Sequence, residues 1–146
     1  MLPDMRSSLD ILLVEDNEGD VEMTRRALKR ARPPVRLSVA NNGDQGLAAL
    51  NREGKYAETA RPQLILLDIN MPRMDGKTFL SIVKQSEPFK AIPIVMFTSS
   101  ESPADIRECF EKHASGYVVK PFDGGLYADR LREVVNFYGA VGEVPS

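Results

Sequence analysis

The chain has 146 residues, with 19 Lys and Arg against 21 Asp and Glu and a formal net charge of −2. This excludes an overall positive field that would draw it onto nucleic acid, and the length fits one domain of ordinary size. Its one cysteine, Cys109, rules out an internal disulfide framework and a thiolate metal cluster. No export signal is visible and no apolar run approaches the roughly 20 residues of a membrane span, so the sequence reads as a soluble, cytoplasmic protein.

In chain order, short apolar runs alternate with longer segments of helical period. The first run, residues 11–14, is followed by Glu15-Asp16-Asn17 and a helix whose inward stripe is Val21, Thr24, Ala27, Leu28 and Ala31. Arg25, Arg26, Lys29, Arg30 and Arg32 make part of that helix basic, as a solvated face usually is. A second run, 37–40, precedes a helix predicted from Asp44 to about Arg52, and residues 51–62 form an unusually long polar connection. The third run, 64–67, ends in Asp68, with Gly76 reading as a turn glycine after Asp75.

The fourth run, 92–97, leads into Thr98-Ser99-Ser100. Ser102-Pro103-Ala104-Asp105 then predicts a helix start: Ser102 caps, Pro103 occupies the first helical position and an acid follows three residues after the cap. The inward stripe predicted for this helix is Ile106, Cys109, Phe110 and His113. A fifth run, 117–119, ends in Lys120-Pro121, and a last helix is predicted over about 126–138. Five strand–helix pairs of this kind predict a doubly wound α/β fold, with a parallel sheet covered by helices on both faces. Runs one, three and four are nearly all apolar, as strands buried on both sides must be.

The polar residues that end these runs are the candidates for chemistry. Strand ends of a right-handed parallel sheet share one edge, so Glu15, Asp16, Asp68, Thr98, Ser99 and Lys120 are expected to meet there. Three clustered carboxylates repel one another unless a cation neutralises them, and an all-oxygen set favours Mg²⁺ over zinc. An ammonium and a hydroxyl beside them are the groups that hold phosphoryl oxygens, so the set suits phosphoryl transfer onto a carboxylate. Taken singly, each residue has an ordinary explanation: Asp68 as a turn or cap residue, Glu15-Asp16-Asn17 as an acidic turn, Thr98-Ser99-Ser100 as a polar loop, Tyr117 as packing. The combination is what is specific. His113, the single histidine, lies away from the acidic edge and reads as a packing or surface residue.

Glu15-Asp16, Asp68, Thr98 and Lys120-Pro121, in that order, resemble the residues of response-regulator receiver domains, and the likeness spans about residues 10–138. The resemblance implies a flavodoxin-like fold of strand order 2-1-3-4-5, between an N-terminal extension (1–9) and a short tail (139–146) with no effector domain. It implies that Asp68 accepts a phosphoryl group from a histidine kinase and that Mg²⁺ is held by Asp16, Asp68 and the backbone carbonyl of Asn70, with Glu15 assisting. Thr98, Ser99 and Lys120 would bind phosphoryl oxygens, Thr98 and Tyr117 would act as the switch pair, and the Lys120–Pro121 bond would be cis, aiming the lysine into the site.

The run Glu15-Asp16-Asn17-Glu18-Gly19-Asp20-Val21 and the long 51–62 connection are similar to those of stand-alone regulators paired with phytochrome-type histidine kinases. That subgroup implies a homodimer through the fourth helix, fifth strand and fifth helix. The receiver-domain resemblance as a whole implies a kinase docked against the first helix, with Val21, Thr24 or Ala27 partly exposed. Such a protein is a phosphoacceptor and not a turnover enzyme; a relay shuttle or a phosphate sink is the alternative. A metal-dependent phosphohydrolase fits less well, because position 70 is Asn where a second acid is expected, and a non-phosphorylated pseudo-receiver fits less well because every required position is filled.

Overall fold

The computed structural model describes residues 8–141, with side-chain surroundings for residues 8–139, so most of the expected N-terminal extension and the end of the tail lie outside the described residues. Five strands form one parallel sheet in the order β2-β1-β3-β4-β5, the order expected. They are β1 (Leu9–Val14), β2 (Val35–Ala40), β3 (Leu64–Leu67), β4 (Ile94–Thr98) and β5 (Gly116–Val119). The helices are α1 (Glu18–Leu28), α2 (Gly43–Leu50), α3 (Gly76–Lys84), α4 (Pro103–Glu111) and α5 (Gly124–Val141). None of these helices is long and apolar enough to cross a membrane.

Alternation along the strands builds two cores. Leu12, Val14, Ile65, Leu67, Ile94 and Met96 face Ala49, Phe79, Leu80, Val83 and Cys109, so α2, α3 and α4 cover one side. Ile11, Leu13, Leu64, Leu66, Val95 and Phe97 face Ala27, Leu28, Tyr127, Leu131 and Val135, so α1 and α5 cover the other. β3 lies in the middle and is buried at all four positions, which leaves only its C-terminal end for a reactive group.

The helix starts follow the side chains that cap them. Asn17, Asn42, Asp75 and Ser102 each accept a hydrogen bond from the backbone N–H three residues on, which satisfies a donor that the first turn leaves free. Ser102 and Pro103 play the parts expected of them. The long connection after α2 is organised by a 3₁₀ turn, Gly54–Tyr56, whose Tyr56 is buried and donates its hydroxyl to the Val39 carbonyl at 3.0 Å.

Three expectations need correction, and a fourth holds at one residue. In α4 only Cys109 is buried; Phe110 is 47% exposed and His113 is exposed, because the helix lies beside the last strands of the sheet and meets it along a single line. In α1 the partial exposure expected of Val21, Thr24 or Ala27 falls on Val21, which is half-buried; Thr24 and Ala27 are buried, because α5 packs over this face and Tyr127 meets Thr24, hydroxyl to hydroxyl, at 3.2 Å. α5 continues to Val141, past the boundary expected at 138. Gly76 is the first residue of α3 and not a turn residue: a Cβ there would lie 2.0 Å from the Asp68 carbonyl oxygen, so its role is to allow close backbone approach.

Candidate functional site

The C-terminal ends of β1, β3, β4 and the segment after β5 meet as the topology requires. The β1 ladder runs one residue past the strand, where the Glu15 N–H donates to the Ala40 carbonyl at 2.9 Å, and Glu15 is 1% exposed. Asp16 is exposed beside it. The Asp68 N–H donates to the Val14 carbonyl at 3.1 Å, and its Oδ1 accepts the Ile69 N–H at 2.8 Å. The phosphoacceptor candidate is therefore fixed at the backbone and on one oxygen, and is 7% exposed.

Carboxylate oxygens of Glu15, Asp16 and Asp68 all lie within 4.8 Å of one another. Lys120 faces this cluster. Its Nζ donates to Glu15 Oε1 at 2.6 Å, to Asp20 Oδ2 at 2.7 Å and to Asp68 Oδ2 at 3.3 Å. Burial pushes the Glu15 carboxyl up to about 7, with the Asp68 charge adding to it and Lys120 opposing it. Burial also works against the charged form of Lys120, but its hydrogen bonds to Asp20 and Glu15 and the charges of Glu15 and Asp68 outweigh this and hold it protonated well above the usual lysine range. Four carboxylates around one ammonium leave an excess of negative charge. An all-oxygen donor set at this spacing fits a hard divalent cation, whose charge would favour the ionised Glu15.

Thr98 is fully buried at the end of β4, its carbonyl accepts the Lys120 N–H at 2.7 Å, and its hydroxyl accepts the Ser100 N–H at 3.4 Å. Ser99 is exposed next to it, and Asn70 is exposed in the loop after Asp68. Tyr117 does not reach the acidic cluster. It is half-buried against the α2–α4 core, and its hydroxyl donates to the Ser100 carbonyl at 2.9 Å, so Ser100 stands between it and Thr98. The Lys120–Pro121 bond is not cis; among the described residues the cis bond is Arg32–Pro33. Lys120 reaches the carboxylates without it, because its backbone extends β5 alongside Thr98 and its side chain is long.

Two residues that the sequence left without a role also belong to the neighbourhood. Asp20 sits in the first turn of α1, where its N–H donates to Asn17 Oδ1 at 2.9 Å; an acid three residues after a helix cap points back over the strand ends, and that spacing was a readable signal. Ser100 links Thr98 to Tyr117 and bonds Asp105, which shares the Lys77 ammonium with Glu108. Nothing in the polar composition of its loop marked it out.

The family model described as "Response regulator receiver domain" matches residues 11–135. The response regulator Rcp1 of Synechocystis sp. is 36% identical over 110 residues, covering 75% of each chain. Among solved structures, the phosphorylated cyanobacterial phytochrome response regulator RcpA is similar with a TM-score of 0.90 and 31% identity over 96% of this chain and 100% of that one. The Mn²⁺-bound form of response regulator Rcp1 gives a TM-score of 0.87 and 30% identity over 94% and 99% of the two chains.

Proposed function

Because the chain belongs to the response regulator receiver domain family, a family of signalling phosphoacceptors and not turnover enzymes, we propose that Asp68 takes a phosphoryl group from the imidazole of a phytochrome-type histidine kinase in the cytoplasm. The observation that carries this reading is the convergence of Lys120 Nζ on Glu15 and Asp68 beside a three-carboxylate cluster. Likeness to RcpA, a phytochrome response regulator, supports the choice of kinase, and the Mn²⁺ in the Rcp1 structure supports a divalent ion.

In this reading Glu15, Asp16, Asp68 and the Asn70 carbonyl hold Mg²⁺, which supplies neutralisation of the phosphoryl oxygens when bound. The main-chain bonds of Asp68 hold its carboxylate for in-line attack. As the O–P bond to Asp68 forms and the bond to the imidazole nitrogen breaks, Lys120 and the Thr98 hydroxyl, with Ser99 beside it, bind the equatorial oxygens. The added charge draws Thr98 inward, and because Ser100 bonds both Thr98 and Tyr117, the tyrosine and the start of α4 respond. The face formed by α4, β5 and α5 is the output, and two copies pair through it. A relay shuttle or phosphate sink would use the same site.

Incubation with acetyl phosphate and Mg²⁺ tests the assignment. One phosphate per chain, lost in Asp68→Asn, is the expected result. Steady turnover of organic phosphates would instead indicate a hydrolase, and absence of labelling a binding module.

A further inference from the structure

We propose that Asp20 is a positioning residue for this reaction: it holds the Lys120 ammonium back from Asp68 and competes for it with the arriving phosphoryl group. The inference rests on the phosphoacceptor reading of Asp68 and adds a determinant of how readily the site is filled.

An ammonium has three N–H donors and no more. All three of Lys120 are committed to carboxylates, and the contact with the phosphoacceptor, at 3.3 Å, is longer than those with Glu15 at 2.6 Å and Asp20 at 2.7 Å. The two short contacts are in the range of charge-assisted bonds, so the ammonium is drawn toward the far side of the site. A phosphoryl oxygen on Asp68 needs a donor that is already in use, and one partner has to release it. Glu15 is buried at the end of a β-ladder where water cannot replace the lost bond, so it can release Lys120 only to the extent that a bound cation compensates it. Asp20 is suited, because its side chain is 25% exposed and water can solvate it once Lys120 leaves.

The position of Asp20 is also well determined. Its N–H is tied to Asn17, and its carbonyl accepts the Tyr127 hydroxyl at 3.2 Å, so α5 pins the turn from which the carboxylate extends. Asp20 lies outside the group of three carboxylates that can share a cation, so its influence runs through Lys120. The resting site therefore keeps its lysine parked, and the phosphoryl group has to win it.

Beryllofluoride, a stand-in for the phosphoryl group, tests this when titrated into the Mg²⁺-saturated full chain and followed by NMR. Asp20→Asn and Asp20→Ala are expected to bind it roughly tenfold more tightly than the wild type, equivalent to about 1.4 kcal/mol. Asp20→Glu should return the affinity to within about twofold of the wild type, and Glu18→Gln, which removes an exposed acid from the same helical turn, should stay within about twofold as well. Unchanged or weaker binding by Asp20→Asn and Asp20→Ala would overturn the proposal. So would equal tightening by Glu18→Gln, since the effect would then be one of general charge. Failure of the wild type itself to bind beryllofluoride with Mg²⁺ would instead strike at the phosphoacceptor reading.

Discussion

Glu15 is the carboxyl that couples the site to pH. Burial raises its carboxyl from the ordinary 4.5 to about 7, with the Asp68 charge acting in the same sense and Lys120 opposing it. A folded value above the unfolded one means that its contribution to stability is complete below about 4.5 and is lost as pH rises through about 7. A divalent ion needs the ionised form, so Mg²⁺ binding should release protons below about 7, tightening as pH rises to that value and levelling off above it. Calorimetric titrations in buffers of different ionisation enthalpy would measure that release, and Glu15→Gln should remove most of the pH slope. The strand-end carboxylates and Lys120 were legible from sequence because each terminates an apolar run, so topology alone assembles them. The isomer of the Lys120–Pro121 bond was not, since it depends on contacts that no local pattern encodes. The role of Asp20 was missed because its contact with Lys120 joins residues 100 positions apart, which no local pattern shows.

Helix α4 shows what periodicity misses. Its apolar positions suggest an inward stripe, yet Cys109 alone is buried, and ion pairs add to its anchorage: Lys77 of α3 meets Asp105 and Glu108, and Asp105 meets Ser100 of the preceding loop. Hydrogen bonds from Lys77 and then Ser100 hold the Asp105 carboxyl below its usual range, and Lys77, with Lys112, does the same for Glu108. Depressed carboxyls contribute stability above their ordinary values and lose it as pH falls through the depressed ones. Lys77→Ala is therefore expected to cost about 1 kcal/mol at neutral pH, since partly exposed ion pairs are weak. The cost should disappear in strong acid, and hydrogen exchange should show the loss of protection concentrated in α4. An element held this lightly is suited to repositioning by a change at Ser100. Helix α1 was legible because Thr24, Ala27 and Leu28 of its stripe are buried against the sheet and α5, and the start of α4 was legible from its Ser102-Pro103 cap.

At the scale of the molecule, the two sides of the sheet are clamped differently. α1 and α5 are stapled by Tyr127, which bonds Thr24 and the Asp20 carbonyl and packs edge-on against Phe97 at 5.0 Å, whereas the side bearing α4 leaves Phe110 exposed. Leu126 at the start of α5 is also exposed. If pairing uses the α4–β5–α5 face, sedimentation velocity should find a dimer, strengthened by beryllofluoride, and Phe110→Asp should shift it toward monomer by weakening the association roughly tenfold, about 1.4 kcal/mol. The parallel sheet could be anticipated from the alternation of elements and its strand order from the resemblance to receiver domains, but the uneven clamping could not, because it depends on which side chains reach across the sheet. The contact between Gly76 and the Asp68 carbonyl bears on how a signal leaves the site. With the helix backbone pressed against it and β3 enclosed on both faces, the acid cannot recoil when it is loaded. The mechanical response must be borne by the loops around it, and the central strand acts as a rigid mast against which they swing.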